Sequence, residues 1–250
     1  HVVRMGRRTI GARSASGQGA SYEAGLPYLS QFRLAVVGLS SYVAREVFPM
    51  PRLEFWYEFA SNYSYLSVMR ISDLAQQAGV EVIWKPFLLG PIFKAQGWDT
   101  SPFNLYPAKG RYMIRDMQRI TASRGLPFVM PPTFPANGLK AARLALIGAD
   151  EGWIEPVTKA IFEAEFGRGE DIAQPAVLEK ALAGLGLDAA SLMARAEDPA
   201  IKQRLKDQTA EAQSRGIFGA PSFITEDGEL FWGDDRLEQA LTWASASRKK

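Results

Sequence analysis

The first candidate for a chemical role in this sequence is Ser61. It stands where an apolar run, typical of a buried strand, gives way to a predicted helix. The first turn of a helix offers free N–H groups and a positive partial charge, which stabilise an anion. A serine hydroxyl placed there can donate a hydrogen bond to a thiolate that a ligand brings in. Serine is also a common helix cap, so position by itself leaves both roles open for Ser61.

A second candidate is the loop Gly216–Phe223, in which Pro221 precedes a predicted hairpin. A cis bond before Pro221 would expose the backbone of Ala220 for strand-like pairing with an extended peptide ligand. Because only about 5–6% of X–Pro bonds are cis, this expectation rests on the fold inferred below and not on the proline itself. The alternative is an ordinary loop proline ahead of an edge strand.

Three charged residues complete the set. Asp234 and Asp235 open the last predicted helix, where either would be a favourable cap; Asp235 would alternatively bind a ligand ammonium group. Lys109 lies near another helix start, where a cation opposes the helix dipole. It suits a ligand carboxylate, or else it is a solvated surface lysine. A hydroxyl, a backbone clamp, an acid and a base together match a small zwitterionic peptide that carries a thiol.

Composition removes several kinds of chemistry. The 250 residues include no cysteine, and the only histidine is His1. The sequence therefore excludes a protein disulfide couple, a zinc–thiolate site, a cysteine nucleophile and histidine-based catalysis in the folded part. The net charge of +2 gives no nucleic-acid footprint, so no nucleic-acid partner is expected. No apolar run reaches the roughly 18 residues of a membrane span, so no membrane partner is expected either.

The elements that position these residues begin with a strand–helix–strand unit. Strands are predicted over Leu53–Ala60 and within Val80–Gly90, the second ending near Pro86. A helix is predicted over Ser61–Gly79 between them, so the two strands should be parallel. Helices are then predicted over Pro107–Gly125, Asn137–Ala149, Trp153–Gly167, Pro175–Gly186, Ala189–Ala196 and Asp198–Gly216. The last predicted elements are the hairpin strands Ser222–Thr225 and Glu229–Trp232 and the helix Gly233–Ala244.

This order predicts an α/β, thioredoxin-like fold with an all-helical domain inserted between its βαβ and ββα halves. Residues 50–90 and 206–250 would form the thioredoxin-like domain, and residues 91–205 the inserted helical domain. Residues 1–49 are interpreted as an N-terminal extension that is poorly ordered. Their composition, rich in arginine and serine and poor in acids, also suits a transit peptide, which would place the protein in an organelle.

Five segments resemble the 2-hydroxychromene-2-carboxylate isomerase family, which is close kin to kappa-class glutathione transferases and, more distantly, to DsbA-type oxidoreductases. The resemblance runs in matching order from about Leu53 to Ala244 and covers nearly all of the chain outside the extension. The segments are Phe59–Leu66, Lys85–Gly97, Pro107–Asp116, Gly216–Phe223 and Phe231–Glu238.

The resemblance implies a cytoplasmic, glutathione-dependent isomerase that works as a homodimer on a small aromatic acid in aromatic catabolism. It would interconvert 2-hydroxychromene-2-carboxylate and trans-o-hydroxybenzylidenepyruvate by reversible thiolate addition. A kappa-like glutathione transferase and a non-catalytic glutathione-binding module remain as alternatives. By motif, the family implies that Ser61 faces the glutathione sulfur and that Ala220, before cis-Pro221, pairs with the cysteinyl backbone. It also implies that Asp234 and Asp235 hold the γ-glutamyl end and that Lys109 lies near the glycyl carboxylate.

The sequence departs from the family pattern in two places. Asn62 follows Ser61, where family members commonly have proline, and little loss is expected because proline at a first helical turn is only a geometric convenience. The stretch Gly97–Pro107 is longer than in better-known members. Either Trp98 or Asn104 would then replace the family's glutathione-contacting asparagine, and the loop would border the acceptor site.

Overall fold

Residues 49–246 are described by the computed structural model. Of the extension predicted over residues 1–49, all but Pro49 lies outside the described residues, as do residues 247–250. Within residues 49–246, no helix is both long enough and apolar enough to cross a membrane.

A four-stranded mixed sheet lies at the centre of the fold, in the order β2–β1–β3–β4. Its strands are β1 (Arg52–Tyr57), β2 (Glu81–Pro86), β3 (Ser222–Thr225) and β4 (Leu230–Trp232). β1 and β2 are parallel, as predicted, whereas β3 is antiparallel to both β1 and β4. The aromatic run of β1 suits a central strand: Phe55 is fully buried, and its ring stacks on that of Phe223 with 5.4 Å between centroids. The chain leaves the carboxyl end of β1 in the turn that carries Ser61.

The prediction of one continuous helix over Ser61–Gly79 is wrong, because two helices occupy this stretch. They are α1 (Asn62–Val68) and α2 (Ile71–Ala78). Between them Arg70 leaves the helical region, with φ −137° and ψ −14°. Its guanidinium group reaches Asp234, near the other end of the chain. α2 ends at Gly79, whose φ of 65° suits a glycine, so the predicted stop is confirmed.

The segment between β2 and β3 is mainly helical. Its first members, α3 (Leu89–Ala95) and α4 (Pro102–Leu105), were not predicted. The predicted end of the second strand near Pro86 is confirmed. α10 runs without a break across residues 205 and 206, where one predicted domain boundary falls; the domain boundaries stay a prediction. The helices are α3 (Leu89–Ala95), α4 (Pro102–Leu105), α5 (Pro107–Arg124), α6 (Leu139–Glu151), α7 (Ile154–Phe162), α8 (Pro175–Gly184), α9 (Ala189–Arg195) and α10 (Pro199–Ser214).

Two short turns matter for the site. A π-helical turn, Glu163–Gly167, continues α7 where the sequence predicted an ordinary helix to Gly167. A 3₁₀ turn, Asp234–Arg236, precedes the last helix, α11 (Leu237–Ala246). The predicted hairpin and final helix are therefore confirmed, with the two aspartates in the 3₁₀ turn between them.

α5 has two different faces. Met113, Met117 and Thr121 are buried against the core. Positions three and four residues apart lie on the same side of a helix, and the stripe that includes the exposed Lys109 and Arg124 runs beside the buried one. This second face forms one wall of the candidate site.

Candidate active site

Ser61 caps α1 and also contacts the loop before β3. Its Oγ accepts a hydrogen bond from the Ser64 N–H at 3.2 Å, and its backbone is extended, as a cap requires. The same hydroxyl donates to the carbonyl oxygen of Ala220 at 3.0 Å. The capping role is therefore confirmed, and the hydroxyl proton points to the residue that the sequence analysis paired with the ligand backbone.

The Ala220–Pro221 bond is cis, as predicted. Pro221 is buried, and its carbonyl oxygen accepts a hydrogen bond from the N–H of Gly233 at 2.9 Å. Ala220 is half-buried, and its backbone N–H has no hydrogen-bond partner among residues 49–246. An unpaired donor beside Ser61 is what strand-like pairing with a peptide ligand needs.

A cleft of about 920 Å³ joins the predicted residues. Ser61, Lys109 and Ala220 line it, as do Asp234 and Asp235, while Pro221 lies buried behind the wall. The structure therefore brings five of the six predicted site residues to one surface.

Aromatic side chains line the same cleft. Of the two candidates for the family's asparagine position, Trp98 lines the cleft, whereas Asn104 is exposed and donates to Thr100 and to the carbonyl oxygen of Phe134. A second cis bond, Phe134–Pro135, lies in the wall and was not predicted. The aromatic residues of the wall include Tyr63, Phe93, Trp98, Phe103, Tyr112, Phe134, Phe218 and Trp232.

One face of α5 forms a long wall of the cleft. Lys109, Tyr112, Asp116, Ile120 and Arg124 line the cleft at intervals of three or four residues, so they share one side of the helix. At 1.5 Å per residue, the first and last of them are about 22 Å apart along the helix axis. This wall is longer than an extended tripeptide, which spans about 11 Å, and it carries a cation at each end.

The two ends of the wall differ in how their charges are paired. Lys109 is exposed and has no ion-pair partner among residues 49–246; its Nζ lies 5.8 Å from the centroid of the Phe103 ring. Arg124 is bonded to Asp234, with 2.7 Å between its Nη2 and Oδ2. Only the Lys109 end thus presents an unpaired cation.

Asp234 and Asp235 have opposite environments. The Asp234 carboxylate is 5% exposed and accepts from Ser67 Oγ at 2.9 Å, from Arg70 Nε at 3.2 Å and from Arg124. Neither aspartate caps the turn through its side chain. Asp235 is 75% exposed, and its one ion pair within residues 49–246, to Arg236 at 3.0 Å, is exposed to solvent. Of the predicted acidic pair, Asp235 offers the carboxylate that a ligand can reach.

The match to known proteins agrees with this architecture. Residues 52–242 match the model of the DSBA-like thioredoxin domain.

The chain belongs to the DsbA-like thioredoxin domain family.

A 2-hydroxychromene-2-carboxylate isomerase from Sphingobium xenophagum is 29% identical over 188 residues, which cover 74% of this chain and 94% of that protein. The human glutathione S-transferase kappa 1 is 27% identical over 204 residues, 76% of this chain and 89% of the relative. A solved structure of a 2-hydroxychromene-2-carboxylate isomerase superposes with a TM-score of 0.68 at 27% identity, over 79% of this chain and 95% of that one. The predicted α/β thioredoxin-like fold and the predicted family are confirmed.

The DsbA-like core also contains two buried carboxyl groups that the sequence analysis missed. Glu58 lines the cleft but is only 6% exposed. Burial raises its pKa to about 7, although hydrogen bonds from backbone N–H groups act to lower it. Glu165, in the π-helical turn, is fully buried, and neither side-chain oxygen has a partner among the described residues. Burial raises the Glu165 pKa well above its usual range, with a further contribution from Glu58. The only sequence signal was an acid inside the aromatic run of Trp56–Phe59.

Two neighbours of Ser61 are tied to α5. Asn62 begins α1 without the proline common in the family, and its buried side-chain N–H points to the sulfur of Met113. The Tyr63 hydroxyl donates to Asp116 at 3.0 Å; burial and this carboxylate both raise the tyrosine pKa, so it stays protonated. The turn that presents Ser61 is thus held against the cleft wall.

Proposed function

We propose that this protein binds glutathione in the cleft and uses its thiol for reversible cis–trans isomerisation of a substrate of the 2-hydroxychromene-2-carboxylate type. The observation that carries the proposal is the meeting of Ser61, the Ala220 backbone, Asp235 and Lys109 on one cleft. These groups match a thiol, a peptide backbone, an ammonium group and a carboxylate in turn. The relatives named as isomerases and as kappa transferases support it.

Each residue would hold one part of the cofactor. The free N–H of Ala220 pairs with the cysteinyl backbone, Asp235 receives the ammonium group and Lys109 the glycyl carboxylate. Because Ser61 already lies 3.0 Å from the Ala220 carbonyl oxygen, its hydroxyl needs only to rotate to donate to the sulfur instead. Ser61 then stabilises the thiolate over the thiol.

When bound, the thiolate supplies a nucleophile that adds reversibly to a conjugated carbon, so that the former double bond can rotate before the thiol is released. The protein's own residues hold the cofactor and orient the substrate. Phe103 and Tyr112 offer flat apolar surfaces to an aromatic substrate on the side of the cleft next to Lys109, and Trp98 lines the same cleft.

Calorimetric titration of reduced glutathione into the protein and into Ser61→Ala and Asp235→Ala tests the binding half of the proposal. We expect saturable binding that Asp235→Ala weakens about tenfold, as loss of a charge-assisted contact implies. Isomerisation, followed by the absorbance of the conjugated substrate, should fall about 10–100-fold in Ser61→Ala at saturating glutathione, because a hydrogen bond to a charged group contributes about 1.5–3 kcal/mol. No binding at millimolar glutathione would refute the whole assignment.

A kappa-like transferase is the second candidate, because the human kappa relative is nearly as similar as the isomerase relatives. Both activities use the same thiolate, and mass spectrometry separates them: an isomerase product carries no glutathione, whereas a transferase product does. Binding without turnover on either substrate class would instead support a non-catalytic glutathione-binding module. A homodimer is proposed from the family alone, and light scattering at micromolar protein checks it.

A further inference from the structure

Glu58 is a buried acid with one side open to the cleft. Its carboxyl group lies under the turn that ends at Ser61: Oε1 is 3.5 Å from the N–H of Ala60, and the Glu58 carbonyl oxygen accepts from the Ser61 N–H at 3.0 Å. Oε2 accepts from the N–H of Leu89, at the start of α3, at 2.7 Å. The Phe59 N–H also lies near this carboxyl group, but the one short bond is that from Leu89 to Oε2, so Oε1 keeps capacity for another partner.

The wall is shaped to admit this carboxyl group. A Cβ atom added at Gly138 would lie 2.9 Å from Oε1 of Glu58 and 3.0 Å from Cβ of Phe59. The glycine thus leaves the space in which Oε1 lies. A structural role for Glu58, supporting the first N–H of α3, uses Oε2 and leaves Oε1 with the long 3.5 Å contact to the Ala60 N–H.

The other carboxyl groups of the cleft are not free to act as a base. Asp116 accepts from Tyr63 and, at 2.8 Å, from Arg119. Asp234 is saturated by its three partners, and Asp99 and Asp235 are exposed, so water hydrates them. Glu58 is the cleft carboxyl group that is both withdrawn from solvent and unpaired by any cation in residues 49–246.

We propose that Glu58 accepts the proton of the glutathione thiol and returns it when the thiol re-forms. The S–H bond breaks, its electron pair stays on sulfur, and an O–H bond forms at Oε1, directly or through one water molecule. The reverse transfer restores both groups, so no other reactant is required. This proposal rests on the proposed function, because it needs glutathione in the cleft. It gives this chain, whose only histidine is His1, an internal proton acceptor beside Ser61.

The surroundings favour a group that exchanges its proton near neutral pH. Burial favours the protonated form of the Glu58 carboxyl group and so raises its pKa. The same burial, with a contribution from Glu58, keeps Glu165 protonated near neutral pH. The other ionisable groups along the cleft are Tyr63, Asp99, Lys109, Tyr112, Asp116, Arg124, Asp234 and Asp235.

The test counts protons released per thiolate formed when reduced glutathione binds. Thiolate is measured by its ultraviolet absorbance, and protons by calorimetry in buffers of different ionisation enthalpy. At pH 7.5, above its pKa of about 7, Glu58 is mostly ionised and can take up the thiol proton, so the protein should release well below one proton per thiolate. In Glu58→Gln, whose amide oxygen still accepts from Leu89, the ratio should be one at every pH. The matched control Asp99→Asn, another neutralised carboxyl group of the cleft, should keep the low ratio.

A ratio of one in the unaltered protein at pH 7.5 would overturn the proposal, and this arm needs no variant to fold. Equal ratios in the unaltered protein and Glu58→Gln would do so as well. Gly138→Ala, which displaces Oε1 without removing the carboxyl group, should raise the ratio above that of the unaltered protein. Failure of the proposed function has a different signature: no glutathione binds, or it binds without any thiolate absorbance.

Discussion

The contrast between Asp234 and Asp235 predicts that neighbouring substitutions will have opposite effects. Asp234→Ala removes the acceptor shared by Ser67, Arg70 and Arg124. Breaking a buried ion pair costs about 3–5 kcal/mol. The lower end applies here, because Arg70 keeps Glu238 as a partner and the Arg124 side chain is 30% exposed and can be hydrated. We therefore expect a loss of about 3 kcal/mol in the free energy of unfolding.

Urea denaturation measures this loss. With a slope of about 2–3 kcal/mol per molar urea, the midpoint should fall by roughly 1 M. Asp235→Ala is the matched control, since it removes a carboxylate one residue away that is 75% exposed, and its midpoint should be unchanged. Glutathione affinity should behave in the reverse way: weakened directly by Asp235→Ala, and in Asp234→Ala only as far as the fold is lost. Equal midpoints for the two variants would refute the assignment of a structural role to Asp234.

Three further predictions concern the cleft. Ser61→Cys places a thiol at a helix start, where its pKa is lowered, so it should form a mixed disulfide with oxidised glutathione that mass spectrometry detects; Ser64→Cys, at a fully buried position, should not react. Lys109→Met should raise the Kd for glutathione about tenfold and leave the melting temperature unchanged, because the lysine has no ion pair among the described residues; a normal Kd would exclude Lys109 from carboxylate binding. The raised pKa of Glu58 means that the native state holds a proton that the unfolded state releases, so stability falls between pH 4.5 and about 7. Between pH 4 and pH 8, the free energy of unfolding of Glu58→Gln should rise by roughly 3 kcal/mol relative to that of the unaltered protein, as denaturation at each pH measures. The same pH dependence of unfolding in both proteins would contradict the burial argument.

Local pattern was enough to predict the sheet and part of the site. The aromatic strand, the glycine stop at Gly79 and the hairpin are all encoded over a few residues, and the two site residues at element boundaries, Ser61 and Asp235, follow from those boundaries. The break at Arg70 was missed because it depends on Asp234, which is 164 residues away. An acid that will be buried cannot be told from one that will be exposed until its neighbours in the fold are known.

The same limit explains why the sequence analysis missed both α3 and the buried Glu58. α3 has no capping side chain of its own at Leu88, and the Gly90–Pro91 pair is typical of a strand end or turn. Its first N–H is satisfied instead by Glu58, 31 residues earlier. The carboxyl group and the helix each make sense only in the presence of the other, so neither could be predicted from its local sequence.

The two faces of α5 separate the residues that the packing of the helix requires from those that are free to vary. Met113, Met117 and Thr121 hold the helix to the core, while Tyr112, which is 60% exposed, shapes the cleft from the neighbouring stripe. Exchange of Tyr112 remodels the cleft without opening a hole in the interior. Descendants of this sequence can therefore acquire new acceptor preferences by a few exchanges along one helical stripe, with the stability of the fold left nearly constant.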